Sequence, residues 1–167
     1  DSLDRQYFAN SLVAARGADA SPQLLRYLRT EIDHRNIVNQ FRAQKQNLSL
    51  ETRVNLNIPG GRIGEAALRA ATQADSKEAL LDALRRSNAF DDSGFEEAMQ
   101  ESAKRGTFDP LVNLLRNQRL KMLKRFSHLN PVSAFPVIYY IQAKVLEVQN
   151  LRLLVRGKAA GLSDEVI

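Results

Sequence analysis

Residues 21–46, SPQLLRYLRTEIDHRNIVNQFRAQKQ, form the stretch that decides the fold. Ser21 is a typical N-cap, Pro22 suits the first turn of a helix, and no later glycine or proline interrupts the residues up to Gln46. The stretch therefore predicts one long helix. At about 100° per residue its apolar side chains fall on two nearly opposite faces, the first carrying Leu24, Leu25, Leu28 and Ile32 and the second Ile37, Val38 and Phe41. We expect this helix to pack against different neighbours at its two ends.

The rest of the chain is punctuated in the same way, by short Gly, Pro, Ser and Asp clusters between runs of helix-forming residues. This pattern predicts an all-α fold. Besides the long helix, we expect helices at about 3–16, 64–73, 77–86, 109–126 and 133–160, a short segment near 49–56, and a helix begun by a capping box at Ser93 and ending near Arg105. The helix at 133–160 is apolar on most sides, which predicts that it is central.

An internal repeat relates the two long helices. A shift of 114 residues places Asp33 on Glu147, Asn36 on Asn150 and Ile37 on Leu151 without a gap. Asparagine is a mediocre helix former, so its recurrence at matched positions predicts an amide that binds a neighbouring loop. We therefore expect two helical lobes and the start of a truncated helix, in a fragment of a larger protein, with bounds of 1–57, 58–163 and 164–167.

Composition excludes several classes of protein. The 167 residues contain no cysteine, which removes disulfides, thiolate nucleophiles, iron–sulfur clusters and most structural zinc sites. No apolar run approaches the roughly 18–20 residues that span a bilayer, so we expect a soluble chain. The formal net charge of +5 is unevenly spread: residues 104–163 carry 11 basic and 2 acidic side chains, a net charge of +9.

The sequence predicts no catalytic, cofactor or metal site. His34 and His128 are the two histidines, and neither has a partner at metal-ligand or acid–base spacing; Glu31 is placed to pair with Arg35 instead. The stretch 59–64, PGGRIG, lacks the Lys-Ser/Thr of a phosphate loop and follows a poor strand sequence, so a plain turn is the better interpretation.

The basic charge leaves three kinds of partner open, of which an anionic membrane surface is one. Lys121, Lys124 and Arg125 lie on the side of their helix opposite Leu115, Met122 and Phe126, which predicts that they face solvent. Nucleic acid is the second, bound by a nucleic-acid-binding or adaptor module, although three cations without interleaved aromatic residues are too few to indicate it specifically. Acidic protein partners are the third, and we predict that the contacts to them include Arg116, Arg119, Lys121, Lys124 and Arg125.

Several motifs resemble one family. Residues 135–138 (FPVI), 149–152 (QNLR), 155–158 (VRGK) and 161–163 (GLS) are similar to the C-terminal signature of the C subunit of archaeal and bacterial V/A-type ATP synthases, which is related to the vacuolar ATPase d subunit. Residues 30–33 (TEID) and 35–37 (RNI) resemble the matching helix of an earlier lobe, and 58–61 (IPGG) the family's Pro-Gly-Gly turn. The family member is about twice this long and has three lobes, so the resemblance implies its C-terminal portion.

The resemblance carries functional expectations that composition does not provide. It implies a funnel-shaped, all-helical and non-catalytic central-stalk protein without a cofactor, which joins the central axle to the membrane rotor ring during ATP-driven or ATP-producing ion transport. It also implies a cytoplasmic location, peripheral to the membrane through the ATPase complex, and no nucleic-acid partner.

Overall fold

The computed structural model describes residues 2–17 and 21–162, and within these ranges the chain is helical with no strand, which confirms the all-α prediction. The predicted helix start at 164–167 lies outside the described residues. Eight helices occur in the described part of the chain, namely α1 (Ser2–Ala14), α2 (Pro22–Lys45), α3 (Leu50–Asn55), α4 (Glu65–Gln73), α5 (Lys77–Arg85), α6 (Phe95–Arg105), α7 (Asp109–Leu129) and α8 (Phe135–Ala159).

The helices form two compact units, Asp1–Arg119 and Leu120–Ile167, with the boundary inside α7. The first unit contains α1 to α6 and the first half of α7, and the second contains the end of α7 and α8. This division concerns packing within the chain, and the two-lobe arrangement with bounds at 57 and 163 remains a prediction.

Helix α2 contributes to two separate apolar clusters of the first unit. Its first half places Ile32 in a small cluster with Phe8, Leu12 and Ile58, against which Leu25 and Leu28 also pack. Its second half places Ile37 and Phe41 in a larger cluster with side chains of α4 to α7, including Leu80, Leu84, Phe95, Leu111 and Leu115. The predicted change of buried face along α2 is therefore confirmed.

The change of face coincides with a polar contact between α2 and the turn at residues 58–63. The Asn36 amide donates to the Ile58 carbonyl at 2.9 Å, and the Ile58 N–H donates to Asn36 Oδ1 at 2.8 Å. The Asp33 carboxylate accepts the backbone N–H groups of Arg62 and Ile63 at 2.9–3.1 Å. Both side chains are buried, so these hydrogen bonds offset the cost of removing them from water. The predicted loop-binding role of Asn36 is confirmed.

The ends of α2 and α8 show the same repeat as the sequence. Each helix has a proline in its first turn, Pro22 and Pro136, and each ends 114 residues from its counterpart, at Lys45 and Ala159. The following caps also match. Positive-φ residues occur at Asn47 (51°) and Gly161 (73°), and the N–H groups of the residues after them donate at 3.0 Å to carbonyls five residues back, Leu48 to Ala43 and Leu162 to Gly157.

Helix α8 is not central in this chain, and the expectation that it is buried on several sides is wrong here. Within α8, Phe135 and Gly157 are buried, whereas its apolar side chains from Val137 to Val155 are largely exposed. In the second unit Phe135 packs against Phe126 of α7, with ring centroids 5.3 Å apart. A helix that is apolar all round needs neighbours on several sides, and these residues do not provide them.

The start of α6 also differs from the prediction. Ser93 was expected to cap this helix, but its N-cap is Gly94 in the left-handed region, with a φ of 73° and no capping side chain. Ser93 instead donates its backbone N–H to the Asp91 carboxylate. The local Asp-turn competes with the capping box for the same few residues.

The close approach of Asp33 to the turn generates a prediction at Gly61. A Cβ at this position would overlap the Asp33 carboxylate, so we expect Gly61→Ala to lower the free energy of unfolding by about 2–4 kcal/mol through overpacking and lost hydrogen bonds. Gly64→Ala is the matched control, because a Cβ there meets nothing within 4 Å and the φ of −61° is ordinary. It should cost less than about 1 kcal/mol. Urea unfolding measures both values, and equal losses would contradict the prediction.

Candidate partner-binding cleft

A cleft of about 230 Å³ in the first unit brings together basic side chains of α2 and α7. Helix α2 contributes one wall and the first half of α7 the other, and Asp4 of α1 lies at the edge. The lining residues are Asp4, Glu31, His34, Arg35, Val38, Asn39, Arg42, Val112, Leu115, Arg116 and Arg119. Arg35, Val38 and Arg42 lie on one face of α2 because residues three, four and seven apart share a helix face.

One ion pair joins the two walls of the cleft, and a second joins α2 to α1 at its edge. Arg119 of α7 contacts Glu31 of α2 at 3.2 Å, and both side chains are mostly buried. Arg35 contacts Asp4 at 2.9 Å and also lies over the Phe8 ring. The predicted pairing of Glu31 with Arg35 is therefore wrong: Glu31 is bound by α7, and Arg35 by α1. Two long-range ion pairs therefore occur in place of the i,i+4 pair.

The cleft carries a net positive charge. Among the lining residues that the structure describes, four guanidinium groups face two carboxylates, which leaves two positive charges in excess if His34 is neutral. Guanidinium groups bind carboxylates and phosphates through paired, charge-assisted hydrogen bonds. The arrangement is therefore suited to an acidic group of a partner.

His34 supports the α2–α7 contact as a neutral side chain. Burial, together with the smaller effect of the positive charge of Arg119, lowers the pKa of His34 from 6.5 to about 3. Its Nδ1 is buried without a hydrogen-bond partner in the described part of the chain. These features agree with the predicted structural role of this histidine.

The predicted contact residues fall into two groups. Arg116 and Arg119 lie in the cleft. Arg119 forms an ion pair with Glu31, so its charge also helps to hold α7 against α2. Lys121, Lys124 and Arg125 belong to the second unit and are exposed, as their spacing predicted. Arg35 and Arg42 also line the cleft, although they are not among the predicted contacts. Their spacing of seven residues on α2 is the sequence signal that they share a helix face.

Within residues 2–17 and 21–162 no group of three or more His, Asp or Glu side chains is placed to hold a metal ion.

A larger cavity of about 470 Å³ lies beside the Pro59 turn, with a more apolar lining that includes Val54, Ile58 and Leu68. Burial raises the pKa of Asp33 to about 6, but this carboxylate is occupied by the backbone N–H groups of the turn.

The repeated long helix, the turn at residues 58–63 that α2 binds and the basic cleft all belong to an all-helical protein. The family model described as ATP synthase (C/AC39) subunit matches residues 1–167, and the chain belongs to this family. The resemblance deduced from the sequence is thus confirmed.

Curated relatives carry a more specific name. Proteins named as the C subunit of A-type ATP synthase are 32% identical in Haloquadratum walsbyi, 31% in Methanosarcina barkeri and 27% in Methanococcoides burtonii. Each match covers the whole of this chain but 45–47% of the relative, so the chain spans about half the length of these proteins. No solved structure matches the chain at a significant level.

The shifted pKa of His34 generates a prediction about acid stability. Because the folded state keeps His34 neutral down to about pH 3 whereas the unfolded chain protonates it near pH 6.5, its contribution is fully present above pH 6.5 and is lost as the pH falls toward 3. We expect His34→Gln to lose less stability than the wild type between pH 7 and pH 5, by up to about 1.4 kcal/mol per pH unit.

Asp33→Asn is the matched comparison for this experiment. The raised pKa of Asp33 has the opposite sign, so its contribution is present below pH 3.8 and is lost as the pH rises through about 6. Asp33→Asn should therefore make the loss on acidification steeper. Urea unfolding at several pH values measures both slopes, and an unchanged slope in His34→Gln would contradict the assignment.

Proposed function

We propose that this chain is part of a non-catalytic central-stalk subunit of a V/A-type rotary ATPase. The whole protein couples the central axle to the membrane rotor ring during ATP-driven or ATP-producing ion transport. The observation that supports this most strongly is the family match over all 167 residues, together with relatives named as the C subunit of A-type ATP synthase. The proposal concerns the whole protein, of which this chain corresponds to about half.

The packing of the first unit suits a part that transmits torque. A coupling element must resist twisting, and rigidity requires close packing in which elements cannot slide past one another. Helix α2 is held by two apolar clusters, by the polar contacts to the turn at 58–63, and by the Arg119–Glu31 ion pair. These contacts come from different directions and oppose rotation of α2 about its own axis.

The basic cleft supplies a contact for an acidic partner in the complex. Arg42 and Arg116 lie on its two walls, and their guanidinium groups suit carboxylates on a loop or terminus of the axle. Lys121, Lys124 and Arg125 add an exposed basic surface in the second unit. Complementary charge speeds association and fixes orientation more than it adds affinity, which fits a joint that must assemble in one register.

The location follows from the proposed complex. Within the described residues no helix is both long enough and apolar enough to cross a bilayer. The proposed protein is peripheral and is held on the cytoplasmic face of the membrane through the axle and the ring. The alternative of a nucleic-acid-binding or adaptor module has no support, because the family and the named relatives are ATP synthase subunits.

Charge reversal in the cleft tests both the function and the contact. In the full-length protein we expect Arg42→Glu with Arg116→Glu to raise the Kd for purified axle proteins by about tenfold or more near 0.1 M salt, because two attractions become repulsions. The difference should shrink at about 0.5 M salt, since screening weakens exposed charge pairs. Lys104→Glu with Arg105→Glu, at the end of α6, is the matched control and should bind as the wild type does.

The possible outcomes distinguish the proposed function from the proposed contact in the cleft. If wild-type protein binds the axle and the cleft variant binds equally well, the function stands and the cleft is not the contact. If the full-length wild type binds neither axle nor ring, and its removal leaves ATP-driven ion pumping by the reconstituted complex intact, the proposed function is wrong. Retention on duplex DNA with a steep salt dependence would favour the alternative.

A further inference from the structure

The last turns of α7 carry a row of exposed basic side chains. Lys121, Lys124 and Arg125 are exposed, and the exposed His128 continues the row. Their spacing of three, one and three residues places them on one side of the helix. Among the described residues, no carboxylate forms an ion pair with Lys121, Lys124 or Arg125. Their charge is therefore available to a partner.

The sequence around this row has one sign of charge. Residues 110–146 contain no Asp or Glu, although they carry six Lys or Arg side chains. Surfaces that serve only solubility normally mix both signs, whereas a single-sign surface attracts an extended anionic partner.

Exposed aliphatic side chains continue the row into the loop between α7 and α8. Leu129 lies four residues after Arg125, on the same side of α7, and is 62% exposed. Val132, in the loop itself, is 100% exposed. Charged and aliphatic side chains thus meet at one end of the helix.

Hydrogen bonds close the turn that carries Val132. The Ser133 N–H donates to the Asn130 carbonyl at 3.1 Å, and the Ser133 hydroxyl accepts the Phe135 N–H at 3.2 Å. Phe135 in turn packs against Phe126, with ring centroids 5.3 Å apart. The turn therefore presents Val132 in a defined position.

The basic tip is the name we give to this set of exposed residues, namely Lys121, Lys124, Arg125, His128, Leu129 and Val132. We infer that the basic tip binds an anionic lipid surface. The cations contact headgroup phosphates, and the two aliphatic side chains enter the boundary between headgroups and acyl chains. The contact is peripheral, because no helix within the described residues is able to cross a bilayer.

Charge and apolar surface act together in such a contact. Each Lys or Arg near an anionic membrane strengthens binding by about fivefold, and the attraction falls off within a Debye length. Aliphatic side chains that enter the interface add the free energy of removing them from water. The basic tip supplies both contributions.

This combination favours a membrane over other anionic partners. Single-stranded nucleic acids are bound with the help of stacking on aromatic rings, and Leu129 and Val132 provide none. A second copy of this chain would oppose one positive row with another, and residues 110–146 offer no carboxylate to balance them. An acidic protein would attract the same cations, and entry of Val132 into a lipid layer distinguishes the two partners by experiment.

The inference goes beyond the proposed function, in which the axle and the ring alone hold the protein at the membrane. Vesicle binding is measured without either partner. Its failure would therefore leave the proposed function intact.

Vesicle sedimentation of the full-length protein tests the charge of the tip. We expect binding to phosphatidylcholine vesicles with about one third phosphatidylglycerol near 0.1 M salt, and much weaker binding to phosphatidylcholine alone. Lys121→Glu with Lys124→Glu should lower the partition coefficient by about twentyfold or more, because two attractions become repulsions. Lys77→Glu with Lys104→Glu, at exposed positions of the first unit, changes the net charge equally and should cost less than about twofold.

A fluorescent label at Val132 tests the insertion. In a background without other reactive cysteines, Val132→Cys carrying a nitrobenzoxadiazole group should brighten and shift to the blue on anionic vesicles, because the group leaves water. The same label on Asn113→Cys, an exposed position in the first half of α7, should not respond. Val132→Ser should lower the partition coefficient by about threefold. Because Val132 is fully exposed, this variant removes no packing contact of the folded protein.

The inference fails if the full-length protein does not bind anionic vesicles, or if both pairs of charge reversals weaken binding equally. An unchanged signal from the label at Val132 during binding would show that the tip does not enter the lipid. Tighter binding to duplex DNA than to vesicles, weakened by Lys121→Glu with Lys124→Glu but not by Val132→Ser, would assign the tip to nucleic acid. The same pattern with axle proteins would assign it to an acidic protein.

Discussion

The hydrogen bonds between α2 and the turn at residues 58–63 are the interaction on which the packing of the first unit depends. Asp33 and Asn36 project from the point where the buried face of α2 changes, and they bind backbone groups rather than side chains. A buried carboxylate or amide is costly unless its hydrogen bonds are made, so only one placement of the turn satisfies both residues. That placement fixes where the chain leaves the first apolar cluster and enters the second.

Further polar contacts connect α2 to α3, and α3 to the end of α4. The Gln40 amide donates to the Arg53 carbonyl, and the buried Arg53 guanidinium reaches the carbonyls of Ala71 and Ala74 at the end of α4. Asn57 in turn donates to the Thr72 hydroxyl. The apolar clusters supply most of the stabilisation, whereas these directional bonds select one register among the helices, since apolar packing alone tolerates alternatives.

Most of the fold could be predicted from the sequence, because the helix signals are local. Ser21, Pro22, the Gly, Pro, Ser and Asp clusters and the apolar spacing predict helix bounds that agree with the structure to within a few residues. The change of buried face along α2 and the loop-binding amide of Asn36 could likewise be predicted from the sequence. The ion pairs of the cleft were not, because Arg119 reaches Glu31 across 88 residues of sequence and nothing local specifies that approach. The exposure of α8 could not be predicted from its sequence. An apolar pattern indicates that a helix face is stable only when it is covered, but it does not identify the residues that cover it.

The uncovered surface of α8 has a consequence for how these 167 residues behave on their own. Val137, Ile141, Val145 and Val148 are exposed at spacings of three and four residues, so they form a continuous apolar stripe along the helix. Exposed apolar stripes of this kind drive non-specific association, whatever the net charge of the rest of the molecule. Solutions of these 167 residues should therefore be prone to self-association through α8, even while the first unit stays folded.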